Sequence, residues 1–209
     1  MRFLMSALIA EGPSDDRFLP FLLRRMVEDV CASEFRDDVD VNRVDVIRGG
    51  SRPSTVPEIL ALVEEYAATY HLVFVHRDQD GSTERVNRDW FDPLRAGWNR
   101  QWSEALVPVI PVRKTEAWVL ADGAALRSVL GIRGSDKELG LPVRPRDAEQ
   151  IREPKDPIRR LVKRVGRPID DFYEELAESV DLEALSSMPS FRAVREQTVT
   201  ALGGLGYRR

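Results

Sequence analysis

The sequence predicts an α/β fold: a mostly parallel four-stranded sheet with helices on both faces, followed by a helical C-terminal extension. Three observations predict it. Short apolar runs alternate with amphipathic segments through the first 133 residues. Gly-Pro and Gly-Gly steps close the first two runs. From about Gly134 onward the strand signal disappears. Residues 1–133 are therefore expected to form the α/β core, with 134–209 packed on it as part of one structural unit.

Phe3 to Ala10 reads as a buried first strand. Ser14 is a good N-cap, and Asp15 and Asp16 suit the first turn of a helix dipole. Phe18, Phe21, Leu22 and Met26 follow at helical spacing, while Pro20 predicts a kink or a late start. Val39, Val41, Val44 and Val46 give a second strand ending at Gly49-Gly50. Thr55 to Tyr70 reads as a helix with Pro57 in its first turn. Leu72 to Val75 is a third strand, followed by a polar loop over His76–Arg88. Trp90, Phe91, Leu94, Trp98 and Trp102 suggest a helix with a buried aromatic face. Leu106 to Val112 is a fourth strand, and Thr115 starts a helix that Gly131 ends after Leu130. Helices are expected near 157–165, 169–185 and 190–202, with a flexible tail over 203–209.

Composition narrows the classes. The chain has 209 residues, 43% of them apolar, and a net charge of −4. That excludes a polycation coating nucleic acid non-specifically, but not a local basic patch. The single cysteine, Cys31, excludes a disulfide framework and a multi-cysteine zinc or iron–sulfur site. No apolar run spans a bilayer, so no membrane association is expected. The short apolar start runs directly into Glu11-Gly12-Pro13 and reads as a strand, not a signal peptide, which points to a cytoplasmic location.

The acids fall where a ligand belongs. In open parallel sheets, ligands sit beyond the carboxyl ends of the strands. Glu11 follows the first strand, Asp78 and Asp80 the third, and Glu116 lies just beyond the fourth. Such carboxylates repel one another unless cations neutralise them. Hard oxygen donors without Cys or His partners suggest Mg²⁺ or Mn²⁺. Taken singly, Asp78–Ser82 could be a turn, and Glu116 a helix N-terminal acid. The stretch Asp78-Gln79-Asp80-Gly81-Ser82 also looks similar to the Asp-x-Asp-Gly-Thr motif of haloacid-dehalogenase phosphatases. In that alternative Asp78 is the nucleophile and Asp80 the general acid, although the motif there follows the first strand.

Glu11-Gly12-Pro13-Ser14-Asp15 resembles the start of Toprim-type domains, and Asp78-x-Asp80 resembles their Asp-x-Asp motif. The segment Ile110 to Asp122, with Glu116-Ala117-Trp118-Val119-Leu120-Ala121-Asp122, is similar to the Toprim-like family known as domain of unknown function 4276. Glu153-Pro154-Lys155-Asp156-Pro157 and Pro189-Ser190-Phe191-Arg192 look like its later blocks. The resemblance covers most of the chain. It departs at His76-Arg77 and at Arg113-Lys114-Thr115, where apolar or acidic lead-ins are more usual. It implies Mg²⁺-dependent phosphodiester chemistry on DNA or RNA, by a nuclease-type effector of bacterial antiphage defence working beside an ATPase. It implies Glu11 as acid/base or ligand, Asp78 and Asp80 as the metal pair, and Asp15 as a further acid, with Glu116 an additional ligand. A different class, a non-catalytic partner-binding module on the same fold, is the alternative.

Cations near such a site would carry transition-state charge. Arg77, Arg113, Lys114 and Lys155 are candidates, with Lys155 first because its Pro-Lys-Asp-Pro setting is rigid. Residues 144–167 hold nine Lys/Arg against four acids, and 168–189 hold seven acids and no Lys or Arg. The first block, Arg159, Arg160, Lys163 and Arg164 in particular, is either a phosphate-backbone surface or a helix face paired with the acidic block. Trp90, Trp98 and Trp102 read as core or partner contacts more readily than as a base-stacking platform. His71 and His76 are too few for a metal triad, and Gly49-Gly50-Ser51 lacks the lysine of a phosphate loop.

Overall fold

A computed structural model describes residues 1–79, 81–98, 104–166 and 168–208. Four strands, β1 (Arg2–Ile9), β2 (Val39–Val46), β3 (Leu72–His76) and β4 (Ala105–Val109), form an all-parallel sheet in the order 2-1-3-4. Ser6 of β1 stands opposite Val44 on one side and Leu72 on the other. The chain goes from β1 outward to β2, then returns past β1 to β3. The topological switch point therefore lies between β1 and β3, where an open α/β sheet binds its ligands.

Both faces of the sheet are covered, and the strands show it by alternation. Leu4, Leu8, Leu72, Phe74, Val107 and Val109 point into one buried cluster. Ala7, Ile9, Val73 and Val75 point into the other. The first face is covered by α1 (Asp15–Glu34), with Phe18, Leu22, Leu23 and Met26 buried. The second is covered by α2 (Val56–Glu65), α3 (Thr83–Val86), a π-helical turn at Asn87–Phe91 and α4 (Asp92–Trp98). Thr55 caps α2 in a full capping box with Glu58, as its sequence position suggests.

The remaining chain is helical: α5 (Glu116–Val119), α6 (Gly123–Leu130), α7 (Asp136–Leu139), α8 (Lys155–Val165), α9 (Tyr173–Ser179), α10 (Leu182–Ser186) and α11 (Pro189–Gly204). Helices α9 and α11 pack on α1, and α11 also covers β4. Their Leu176, Phe191 and Leu202, with Phe172 just before α9, join the same buried cluster as Leu4 and Leu8. Among the described residues, no helix is long and apolar enough to cross a membrane.

Several expected boundaries are corrected. Helix α1 starts at Asp15, before Pro20, and continues through it. The helix expected over 115–130 is two, because Asp122 caps α6 by accepting from the N–H groups of Ala124 and Ala125. Asp181 caps α10 in the same way, so the helix expected over 169–185 is also divided. The polar stretch 76–88 starts with His76 in β3 and contains α3. The tail is packed: α11 continues to Gly204, Tyr207 is buried, and the Arg208 N–H donates to Asp37 Oδ2 at 2.9 Å. Arg2 stacks on the Tyr207 ring, its guanidinium carbon 3.8 Å from the centroid. Arg209 lies outside the described residues.

Candidate active site

All four strands end on one edge. Glu11 follows β1, Arg48 and Arg52 follow β2, Arg77 and Asp78 follow β3, and Arg113, Lys114 and Thr115 follow β4. Glu11 and Asp78 meet across the switch point: the Asp78 backbone N–H donates to Glu11 Oε2 at 2.9 Å. Glu11 Oε1 lies 3.7 Å from Arg77 Nη1. Asp78 Oδ2 lies 3.3 Å from Lys114 Nζ. Together with Arg85, Val86, Asp89 and Trp90, the residues Glu11, Arg77 and Asp78 line a pocket of about 230 Å³. Asp80, the second acid of the expected pair, lies outside the described residues.

The β3 and β4 loops are fastened together beyond the strands. The Arg77 N–H donates to Val109 O at 3.0 Å and the Gln79 N–H to Pro111 O at 3.2 Å. Next, Arg113 adopts φ 64°, and the Lys114 N–H donates back to Val112 O at 2.9 Å. That is a three-residue turn of the rare, strained kind, and a non-glycine residue at positive φ is kept only where its surroundings enforce it. The turn delivers Lys114 to Asp78 and leaves the Arg113 side chain exposed.

A fully buried histidine sits behind these groups. His76 Nε2 is 3.4 Å from Asp78 Oδ1 and 3.1 Å from Thr115 Oγ1. Its Nδ1 is 3.6 Å from Asp15 Oδ2, and the Glu11 N–H points at the same nitrogen from 3.4 Å. Nδ1 accepts from Glu11 when the ring is neutral and faces Asp15 when the ring is protonated. Burial favours the neutral ring, but Asp78, Asp15 and Glu11 outweigh it and hold the His76 pKa above its ordinary value. Burial likewise pushes Asp78 up, but His76 and Lys114 prevail and hold it below the usual carboxylate range. Asp15 is raised by burial; His76 opposes the rise and Asp78 adds to it. Gly12 is small for a reason here: a Cβ at that position would stand 2.9 Å from Asp15 Oδ2.

Glu116 and Lys155 form the neighbouring group. Glu116 is buried; Tyr173 donates to its Oε1 at 3.3 Å, and Lys155 Nζ is 3.4 Å from the same oxygen. Burial raises the Glu116 pKa and Lys155 opposes it. Both residues line a second pocket of about 180 Å³ with Ser14, Ile158, Arg159 and Asp170. Glu11 and Asp78 line one pocket and Glu116 and Lys155 another, and both Asp15 and Asp78 act on Glu116 through charge. Among the described residues, Glu116 takes Tyr173 and Lys155 as partners and neither Glu11 nor Asp78.

The basic block lies on α8, which buries Pro157, Ile158, Leu161 and Val162 and exposes Arg159, Arg160, Lys163 and Arg164. Among the described residues, no ion pair joins these four to the acidic 168–189 stretch; Arg159 pairs with Asp156 at 3.5 Å. Arg167 is outside the described residues. Trp98 is core, its Nε1 donating to Glu104 O at 2.7 Å. Trp90 reaches the first pocket, but the Arg77 guanidinium covers its ring at 3.5 Å. Trp102 lies outside the described residues. His76, Thr115 and Tyr173 are site residues that sequence reasoning missed. For His76 the readable signal was a polar residue ending an otherwise apolar strand beside two acids.

Three observations bear on a metal. Among the described residues, no three His, Cys, Asp or Glu side chains are grouped to hold one. The protein's own His76, Arg77, Lys114 and Lys155 take up part of the neutralising role expected of a bound ion. Asp78 Oδ1 is buried against His76 Nε2 at 3.4 Å, a long contact that leaves this oxygen weakly satisfied. Mg²⁺ is commonly held by one or two carboxylates, with water and substrate phosphate completing its shell, and Glu11 and Asp78 are two carboxyl groups on one edge. No protein-family model, no curated protein and no solved structure matches this chain.

Proposed function

We propose that this edge is the site of Mg²⁺- or Mn²⁺-dependent phosphodiester transfer on nucleic acid, DNA or RNA. The observation that carries the reading is the Glu11–Asp78 contact at the switch point, where the loops after β1 and β3 bring two carboxylates to one pocket. Glu11 and Asp78, with Asp80, would hold the ion, which supplies charge to the phosphate oxygens and an activated water. Glu11 is the more exposed acid and is placed to take or return a proton. Lys114 and His76 orient Asp78, and Arg77 places a fixed positive charge at the pocket wall. Lys155, with its neighbours on α8, offers the approach for the phosphate backbone. The ATPase partner, the defence role and a cytoplasmic setting rest on the family resemblance and stand as part of the proposal.

Calorimetric titration of Mg²⁺ and Mn²⁺ into the wild type and Asp78→Ala tests the reading. Binding that is lost in the variant supports it, and a wild type that binds neither ion overturns it. The second reading, a partner-binding module without catalysis, is favoured by the ion pairs already made within the acidic edge. It predicts a wild type that binds neither ion.

A further inference from the structure

On the β2 side of Glu11, two arginines converge on one carboxylate. Asp16, expected only to favour the helix dipole, has a side chain just 3% exposed. Arg48 Nη2 lies 2.5 Å from its Oδ2, and Arg52 also pairs with that oxygen. Arg52 Nη1 donates to Asp16 Oδ1 at 3.2 Å and to Ala10 O at 3.2 Å. Ala10 is the residue directly before Glu11. The pair therefore stands on the same edge as Glu11, on the side away from Asp78 and Lys114.

Charge and exposure give this arrangement a direction. Two guanidinium groups share the Asp16 carboxylate, and Asp15 also acts on the inner one, Arg52, so the outer one, Arg48, is the less compensated of the two. Arg52 is mostly covered, 28% exposed, while Arg48 is 53% exposed. A buried ion pair is weak evidence for a stabilising role, because desolvation offsets most of its attraction. It does fix the position of what it holds. Arg52 is fastened to the end of β1, Asp16 is fastened by Arg52, and Arg48 is held through Nη2 while half of its side chain stays exposed. A guanidinium held so is suited to a phosphate oxygen.

We propose that Arg48, positioned by Asp16 and Arg52, is a phosphate-binding subsite for the substrate strand on the β2 side of the acidic edge. The inference rests on the nucleic-acid reading above. It adds a direction: the strand crosses the sheet edge from the β2 loop, over Glu11 and Asp78, toward Lys114. Arg48 is then a positioning residue, recognising a non-bridging phosphate oxygen next to the reacting linkage and taking no part in bond cleavage.

The test is binding in EDTA, which separates it from catalysis. Fluorescent single-stranded DNA and RNA oligonucleotides are titrated into the wild type, Arg48→Gln and Arg48→Lys at several salt concentrations. Arg48→Gln is expected to weaken binding about three- to tenfold and to lower the salt slope by about one contact. Arg48→Lys is expected to keep the slope. Neutral methylphosphonate linkages, placed one at a time, should weaken wild-type binding wherever a contacted phosphate is replaced, and one of those positions should have no effect in Arg48→Gln. Oligonucleotides that bind the wild type and Arg48→Gln equally, with equal slopes, overturn the subsite and leave the nucleic-acid reading standing. A wild type that binds no oligonucleotide overturns both. A thermal melt of Arg48→Gln unchanged from wild type confirms that a binding loss is local, whereas binding loss accompanied by unfolding in both variants assigns Arg48 to the fold and overturns the subsite.

Discussion

Asp78 gives its backbone N–H to Glu11 Oε2 at 2.9 Å, so the loops leaving the two central strands are joined at the point where the sheet's connectivity reverses. Sixty-seven residues separate the two in sequence. Neither is held by its own loop alone, and a change in one is felt by the other.

Glu11→Gln keeps an acceptor for the Asp78 N–H and removes the charge. Nucleic-acid cleavage in Mg²⁺ should fall by about 10²–10⁴, the range for loss of a positioned acid/base group. The thermal midpoint should stay close to wild type. Cleavage at the wild-type rate would remove Glu11 from the chemistry.

Gly12→Ala adds a methyl group only 2.9 Å from the place that Asp15 Oδ2 now occupies. The Asp15 carboxylate must shift from its present place 3.6 Å from His76 Nδ1. The expected result is weaker Mg²⁺ or Mn²⁺ binding by calorimetry with a folded protein by circular dichroism. Unchanged affinity would show that Asp15 has no part in the ion's surroundings.

Stability in EDTA should fall as pH rises above about 6.5. The His76 pKa in the folded protein is raised above its unfolded value near 6.5. Its contribution is therefore complete below about pH 6.5 and is lost as pH rises through the folded value. Asp78, held low, contributes above its unfolded value near 3.8 and loses that contribution as pH falls through its depressed one. Urea midpoints measured in steps from about pH 6 upward follow the loss of the His76 contribution and check its part. His76→Gln should flatten the difference; an equal slope in the variant would assign it elsewhere.

Neutralising Arg159, Arg160, Lys163 and Arg164 together to Gln should weaken oligonucleotide binding and lower the salt slope by up to about four contacts. All four are exposed, so urea stability should move by about 0.5 kcal/mol or less per site. Lost stability with unchanged binding would make the block structural.

Trp118→Ala should cost about 3–5 kcal/mol, read from urea denaturation. The indole is fully buried, meets the Phe191 ring edge-on at 5.3 Å, and its Nε1 donates to Ser190 Oγ at 2.8 Å. A cost under about 1 kcal/mol, well below that range, would mean that the site relaxes to fill the space.

The sequence by itself determined the strand-and-helix alternation, the helical C-terminal region, and the placement of Glu11, Asp78 and Glu116 just beyond strand ends. These depend on local signals: apolar runs, caps and breakers along a few consecutive residues. Even the misjudged helix ends at Asp122 and Asp181 were local, the first an Asp side chain taking the N–H groups of Ala124 and Ala125 and the second one taking that of Glu183.

Only the tertiary structure decided the partners. Strand order 2-1-3-4 sets Glu11 beside Asp78, and the strained turn at Arg113 aims Lys114 at that acid. Burial of β3 turns His76 from an expected loop residue into the link between Asp15 and Asp78. Packing of α9 and α8 gives Glu116 the partners Tyr173 and Lys155, while Asp15 and Asp78 still act on it through charge. The basic α8 face carries no ion pair to the acidic stretch that follows it, among the described residues. These outcomes depend on distances between segments far apart in the chain and on which charges lose their water, and no local pattern of residues encodes either.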